Sequence, residues 1–302
     1  MSNAAAITAT GITKHYGQVK ALRGLDLEVR QGEVFGFLGP NGAGKTTAIR
    51  CLMDEIRPTS GSATVLGMDA HTDSVKIRHQ LGYLPSDLAM YENLTGWDMF
   101  RYFANLRGGV DMDYVKQLVE RLGAQPDKKV GNLSTGNLQK IGLVQAFMNK
   151  PAVVIMDEPS TGLDPLVQRE FQTMLREMAA AGHTVFLSSH TLAEVQRVAD
   201  RVAIIRGGVL QAVEPLEDLR AKAVRRVELA FEESVDQAFF EAIPGVRDVT
   251  VTAQRVDFAF EGSVTELLQQ VGARYEITDI ATREADLEEI FLTYYRDTPA
   301  AG

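Results

Sequence analysis

The sequence predicts an α/β protein built on a parallel sheet, with a β-rich front, an inserted helical region and a small α+β module behind. Three observations carry that class. The fully apolar run Val34–Leu38 ends in a glycine-rich stretch, residues 39–46, that hands over to a helix. Two more short apolar runs, residues 153–156 and 184–188, flank a long helical stretch over 166–181, and strand-helix-strand order implies parallel pairing. Beyond residue 220 the pattern restarts as β-α-β-β-α-β, which suits a split βαβ, ferredoxin-like module.

Taken in order, strand-like runs at residues 6–13, 25–30, 34–38 and 63–66 open the chain, separated by glycine-containing turns. Apolar residues then recur at helical spacing over 95–106 and 113–122, placing a helical subdomain at about 87–150. After the strand-helix-strand unit, runs at 201–206 and 209–213 flank Gly207-Gly208, a hairpin that closes the first domain. A helix and linker over 215–223 lead to a strand at 226–231, a helix near 236–243 and alternating strands at 246–252 and 255–260. A helix near 265–271, a strand near 275–280 and a closing helix at 285–295 complete the chain, so the expected domains are 1–220 and 221–302.

Composition bounds the function. A hydrophobic fraction of 45% and a charged fraction of 24% over 302 residues are those of a globular protein with a proper core. No run approaches the roughly 20 apolar residues that span a bilayer, and residues 1–10 lack a basic start followed by an apolar stretch, so export is not expected. Cys51, the single cysteine, excludes an internal disulfide and fits a reducing compartment; on the helix after the glycine-rich stretch it reads as core filler. The net charge of -9 is concentrated at the end: residues 221–302 hold 8 basic and 16 acidic side chains. Neither half has the basic footprint of a nucleic-acid binder, and the acidic end would be repelled by anionic lipid.

The stretch Gly39, Pro40, Asn41, Gly42, Ala43, Gly44, Lys45, Thr46 is a phosphate cradle, with Thr47 following in the helix. Its glycines let the backbone aim several N–H groups at one point, and the helix end adds its positive dipole. Lys45 supplies a cation for the β and γ phosphates, and Thr46 a hydroxyl for Mg²⁺. Asp157 and Glu158 follow an apolar strand and emerge at its carboxyl end, where open α/β sheets bind ligands. Asp157 suits a magnesium shell and Glu158 the polarisation of an attacking water. Leu133-Ser134-Thr135-Gly136-Asn137 opens a second helix; read alone, Ser134 is an ordinary helix cap.

The order of these motifs changes that reading, because the chain resembles the nucleotide-binding subunits of ATP-binding cassette (ABC) transporters over residues 7–213. The phosphate loop, Leu133 to Asn137 as signature and Asp157-Glu158 stand in the family's order. By the same resemblance Tyr16 stacks adenine, Thr161-Gly162-Leu163-Asp164 is the D-loop and His190, after Ser188-Ser189, contacts the γ phosphate. The resemblance implies ATP and Mg²⁺ as ligands, with Lys45, Glu158 and His190 catalytic. It also implies a head-to-tail homodimer in which Ser134, Thr135 and Gly136 meet ATP held by the other subunit's cradle. A separate transmembrane permease is the expected partner, approached from the cytoplasmic face of the membrane, with no nucleic acid and no other membrane contact.

Two departures stand out. Ser86 occupies the position after Gly82-Tyr83-Leu84-Pro85 where many relatives carry a magnesium-linking glutamine, so coupling is expected through Ser86, Asp87 or a water. The signature reads LSTGN rather than LSGGQ, keeping Ser134 and Gly136 but losing the amide's reach at Asn137. Met90, Tyr91, Trp97, Phe100 and Phe103 form an aromatic-rich region that reads either as a socket for the permease or as core. The acidic end, including Asp286-Leu287-Glu288-Glu289-Ile290-Phe291, is similar to the accessory domain of drug, lipid and polysaccharide exporter ATPases. The alternatives are a soluble ABC ATPase acting on ribosomes or DNA, which lacks support in the charge, and a nucleotide-sensing regulatory subunit with little hydrolysis.

Overall fold

The computed structural model describes residues 4–222 and 225–283; the helix expected at 285–295 lies outside the described residues. Contacts divide the chain into two compact units, Met1–Leu216 and Glu217–Gly302.

The first unit opens with β1 (Ala5–Tyr16), β2 (Val19–Arg30), β3 (Val34–Leu38), α1 (Lys45–Leu52), β4 (Ser60–Val65) and β5 (Met68–Asp69). It continues with α2 (Ser74–Gln80), β6 (Leu81–Leu84), α3 (Gly96–Leu106), α4 (Met112–Leu122) and α5 (Thr135–Phe147). Last come β7 (Val153–Asp157), α6 (Pro165–Ala180), β8 (Thr184–Ser189), α7 (Leu192–Val195), β9 (Arg201–Arg206) and β10 (Val209–Pro215), before α8 (Leu216–Lys222).

One sheet, ordered β2-β1-β4-β5, is antiparallel and buries a single face. The alternation is visible in β2, where Leu25, Leu27 and Val29 are buried and Asp26, Glu28 and Arg30 exposed. The other, β10-β9-β3-β8-β7-β6, is parallel apart from its edge strand β10. Three of its four inner strands, β3, β7 and β8, are buried at every residue, as expected of strands covered on both faces. α1 joins the two sheets: Ala48, Ile49, Cys51 and Leu52 share one core with Ile7, Leu25 and Val65 of the first sheet and Phe35, Phe37 and Phe186 of the second.

The elements β5, α2, β6 and α7 are additions to what the sequence predicts. They are two to seven residues long, too short for a periodicity to register. The helical region is as expected, and its aromatic residues separate by depth. Phe100 is fully buried and belongs to the core, with Trp97 packed edge to face against it at 5.7 Å. Tyr91 and Tyr102 remain exposed and meet each other edge to face at 5.7 Å.

The second unit contains β11 (Arg225–Phe231), α9 (Gln237–Glu241), β12 (Val246–Thr252), β13 (Arg255–Phe260), α10 (Val264–Gly272) and β14 (Ile277–Arg283). Its sheet is antiparallel in the order β12-β13-β11-β14. The two strands joined by α9 are separated by β13, and the unit has its own core around Val227, Leu229, Phe240, Phe258 and Val271.

Candidate active site

Three neighbouring strands end together, and that edge is where the chemistry collects. In the sheet β8 lies between β3 and β7, with Leu38 opposite Ser189 and Asp157 opposite Ser188. The glycine-rich loop, the pair Asp157-Glu158 and the run Ser188-Ser189-His190 therefore emerge side by side at the carboxyl edge of a parallel sheet.

The loop is tied to that edge by Gly39, whose N–H donates to the Ser189 carbonyl at 3.2 Å. Gly44 sits at φ +108°, a conformation open to glycine, and so starts α1 directly at Lys45. Pro40, Asn41 and Gly42 form an exposed rim, Thr47 is half-buried, and Ala43 is buried beneath. Lys45 is 6% exposed; its ammonium donates to the carbonyls of Gly39 at 2.6 Å and Pro40 at 3.3 Å. The cation is thus fixed at the mouth of the cradle.

Asp157 is fully buried, and hydroxyls meet both of its carboxylate oxygens. Thr46 Oγ1 donates to Oδ2 at 2.6 Å, and Ser188 Oγ donates to Oδ1. Glu158 takes a left-handed backbone, φ +52°, which costs a non-glycine residue roughly 1–2 kcal/mol. Such strain is kept where surrounding bonds over-determine it. Here the Glu158 N–H donates to Ser188 Oγ at 3.0 Å, while its carboxylate reaches two ways. Oε1 lies 3.1 Å from the Lys45 ammonium, an ion pair without an aligned hydrogen bond, and Oε2 lies 2.7 Å from His190 Nδ1. Lys45, Glu158 and His190 are thereby one connected group.

The donors suit Mg²⁺. Asp157 and Thr46 offer hard oxygen atoms at hydrogen-bond distance from each other, and this small set matches a cation that completes its shell with water and phosphate oxygens. Ser86 is exposed, two residues beyond β6, which pairs with β7 so that Leu84 faces Met156.

The signature residues stand at the start of α5. Ser134 caps it, Oγ accepting the Asn137 N–H at 3.3 Å, and Ser134 and Thr135 are exposed. Among the described residues, none of Ser134, Thr135 and Gly136 bonds to the phosphate loop. Gly136 packs on Gly162 so closely that a Cβ would sit 2.5 Å from the Gly162 carbonyl oxygen. The Asn137 amide is engaged within the chain, its Oδ1 accepting the Gln125 N–H at 2.8 Å and its Nδ2 donating to the Gln125 carbonyl at 3.2 Å. Asp164 caps α6, accepting the N–H groups of Leu166 and Val167; the Val167 N–H foremost holds its carboxyl below the usual carboxylate range. Tyr16 is exposed at the end of β1, with the Lys14 ammonium 5.1 Å from its ring centre.

Two residues of this neighbourhood carry no sequence signal of their own. Ser188 appears in the sequence only as a small residue before His190. Gln139 is a buried polar side chain in α5 whose Nε2 donates to the Pro159 carbonyl at 2.9 Å, next to Glu158. Neither contact follows from periodicity or spacing.

A backbone cradle closed by a buried lysine, beside an acid that a histidine also reaches, defines a phosphate-loop nucleoside triphosphatase. A family model described as ABC transporter matches residues 22–161. The chain is 38% identical over 212 residues to an uncharacterized ABC transporter ATP-binding protein of Nostoc, covering 67% of this chain and 62% of that one. It is 34% identical over 304 residues to the daunorubicin resistance ATP-binding protein DrrA3 of Streptomyces coeruleorubidus, covering 95% of each. Among solved structures, an ATP-binding subunit of an ABC transporter is 28% identical, with a TM-score of 0.66 over 72% of this chain and 92% of that one. The chain belongs to the ATP-binding proteins of ABC transporters, a family of ATPases.

Proposed function

We propose that this chain is the ATP-hydrolysing subunit of an exporter, pairing with a second copy of itself and driving a separate membrane permease from the cytoplasmic face. The observation that carries the reading is the reach of Glu158, strained at the end of β7, to both Lys45 and His190. Lys45 and the backbone N–H groups of residues 39 and 41–47 hold the phosphates, and the γ phosphate takes over the charge of Lys45 that Glu158 now shares. Thr46 and Asp157, with Ser86 facing the same edge, hold Mg²⁺, which when bound neutralises phosphate charge. Glu158 is the base that orients water, and His190 donates a hydrogen bond to the transferring group.

Ser134, Thr135 and Gly136 complete the site in trans: Ser134 and Thr135 are exposed, and among the described residues none of the three is bonded to its own chain's cradle. Asp164 shapes the adjoining D-loop by capping α6, and Tyr16 offers an exposed ring for adenine. The exposed pair Tyr91 and Tyr102 supplies the surface for the permease, with Phe100 as its core support. Among the described residues no helix is long and apolar enough to cross a membrane, which fits attachment through such a subunit. The net charge of -9 argues against nucleic acid as the partner. The relative named for daunorubicin resistance supports export. The C-terminal unit, whose strand order supports a ferredoxin-like assignment, serves dimer stability or regulation.

Glu158→Gln tests the reading. It should retain ATP, lower turnover at least about 10²-fold and accumulate as an ATP-bound dimer in size-exclusion chromatography. Undiminished phosphate release by that variant sinks the assignment. Ser86, in place of glutamine, favours one second reading, a low-turnover regulatory subunit; ATPase rates with and without the permease separate the two.

A further inference from the structure

We propose that Ser188 is a positioning residue that holds Asp157 and Glu158 in mutual register, an inference that rests on the ATPase reading. Its side chain is fully buried on β8, the strand between the phosphate-loop strand and the acid-bearing strand, and it is the register partner of Asp157. One hydroxyl serves both acids: it donates to Asp157 Oδ1 and accepts the Glu158 N–H at 3.0 Å. The other Asp157 oxygen is met by the Thr46 hydroxyl, which would be shared with the cation that these two residues would hold. Ser188 is therefore the anchor of Asp157 that nucleotide loading leaves in place. It also pins the left-handed turn that aims the Glu158 carboxylate at Lys45 and His190. Without it, the direction of the two carboxylates relative to each other is no longer set by the sheet.

The test uses the full chain with Ser188→Ala and Ser188→Cys. Cysteine fills the site with a somewhat larger, weakly hydrogen-bonding group and alanine leaves it smaller, so a loss common to both variants reports the hydrogen bond and not the packing. In both variants kcat should fall about tenfold, the consequence of losing a hydrogen bond to a charged group, while KM for ATP stays within about twofold because the cradle itself is untouched. Thermal melts identify any loss of fold. Titration of Mn²⁺ into ADP-loaded protein should show about tenfold weaker binding in both variants, a readout that needs no turnover. Wild-type kcat and Mn²⁺ affinity in Ser188→Cys overturn the proposal. A wild-type chain that does not hydrolyse ATP overturns the ATPase reading instead, and the Mn²⁺ titration then decides the role of Ser188 alone.

Discussion

Lys45 is a charged side chain that is nearly buried, and every oxygen it touches belongs to the site: the carbonyls of Gly39 and Pro40 and the carboxylate of Glu158. A buried ammonium is retained where its charge is compensated, and here the compensating oxygens are those of the proposed phosphate site. Lys45→Ala should lower ATP turnover at least about 10²-fold, as loss of one preorganised electrostatic contact does, measured as phosphate release at saturating Mg-ATP. Cys51, six residues further along the same helix, is the contrasting case. Burial pushes its thiol up to about 11, so it is held as a neutral core side chain, as its place on the helix suggests. Both residues were legible in the sequence because each belongs to a local pattern. Ser188 was not, since a serine at a strand end acquires meaning only from what lies across the strand.

At the level of elements, caps set the ends of the helical region. Thr95 and Asp98 form a capping box on α3: the Thr95 N–H donates to Asp98 Oδ2 at 3.1 Å and the Thr95 hydroxyl oxygen accepts the Asp98 N–H at 3.1 Å, while the same hydroxyl donates to Asp98 Oδ2 at 2.6 Å. The Thr95 hydroxyl first, then Arg101, hold the Asp98 carboxyl down at about 2. A carboxyl near 3.9 in the unfolded chain and near 2 in the folded one stabilises the fold above about pH 4, and that contribution is lost as pH falls through about 2. Asp98→Asn should therefore melt below wild type at pH 7, with the gap closing between about pH 4 and 2 in circular-dichroism melts. The amphipathic helix is visible in sequence from its spacing. What covers the stripe is not: Phe100 is core and Tyr102 is surface, although both lie in one aromatic run.

At the scale of the molecule, two units with separate cores share one chain. A ligand that binds one folded unit stabilises that unit by mass action, about 2.7 kcal/mol at a hundred times its dissociation constant. Calorimetry on Glu158→Gln should resolve two transitions, and Mg-ATP should raise the transition of the nucleotide-binding unit alone. A shift of both by the same amount would mean that the units unfold as one. Residues distant in sequence also pack together within the first unit. Gln139 bonds to Pro159, 20 positions away, and Gly136 admits Gly162, so the start of α5 and the segment behind Glu158 are packed together although they are distant in the chain.

By itself the sequence determined the cradle, the acids after their strand, the helix starts and the restart of the pattern after residue 220. Each of these depends on residues a few positions apart, where turn chemistry, capping and hydrophobic period act directly on the backbone. Only the tertiary structure decided that β8 runs between β3 and β7, that Ser188 therefore faces both acids, and that Glu158 bridges Lys45 and His190. Strand order is a property of how the whole sheet packs around α1 and the helices, and no local spacing encodes it.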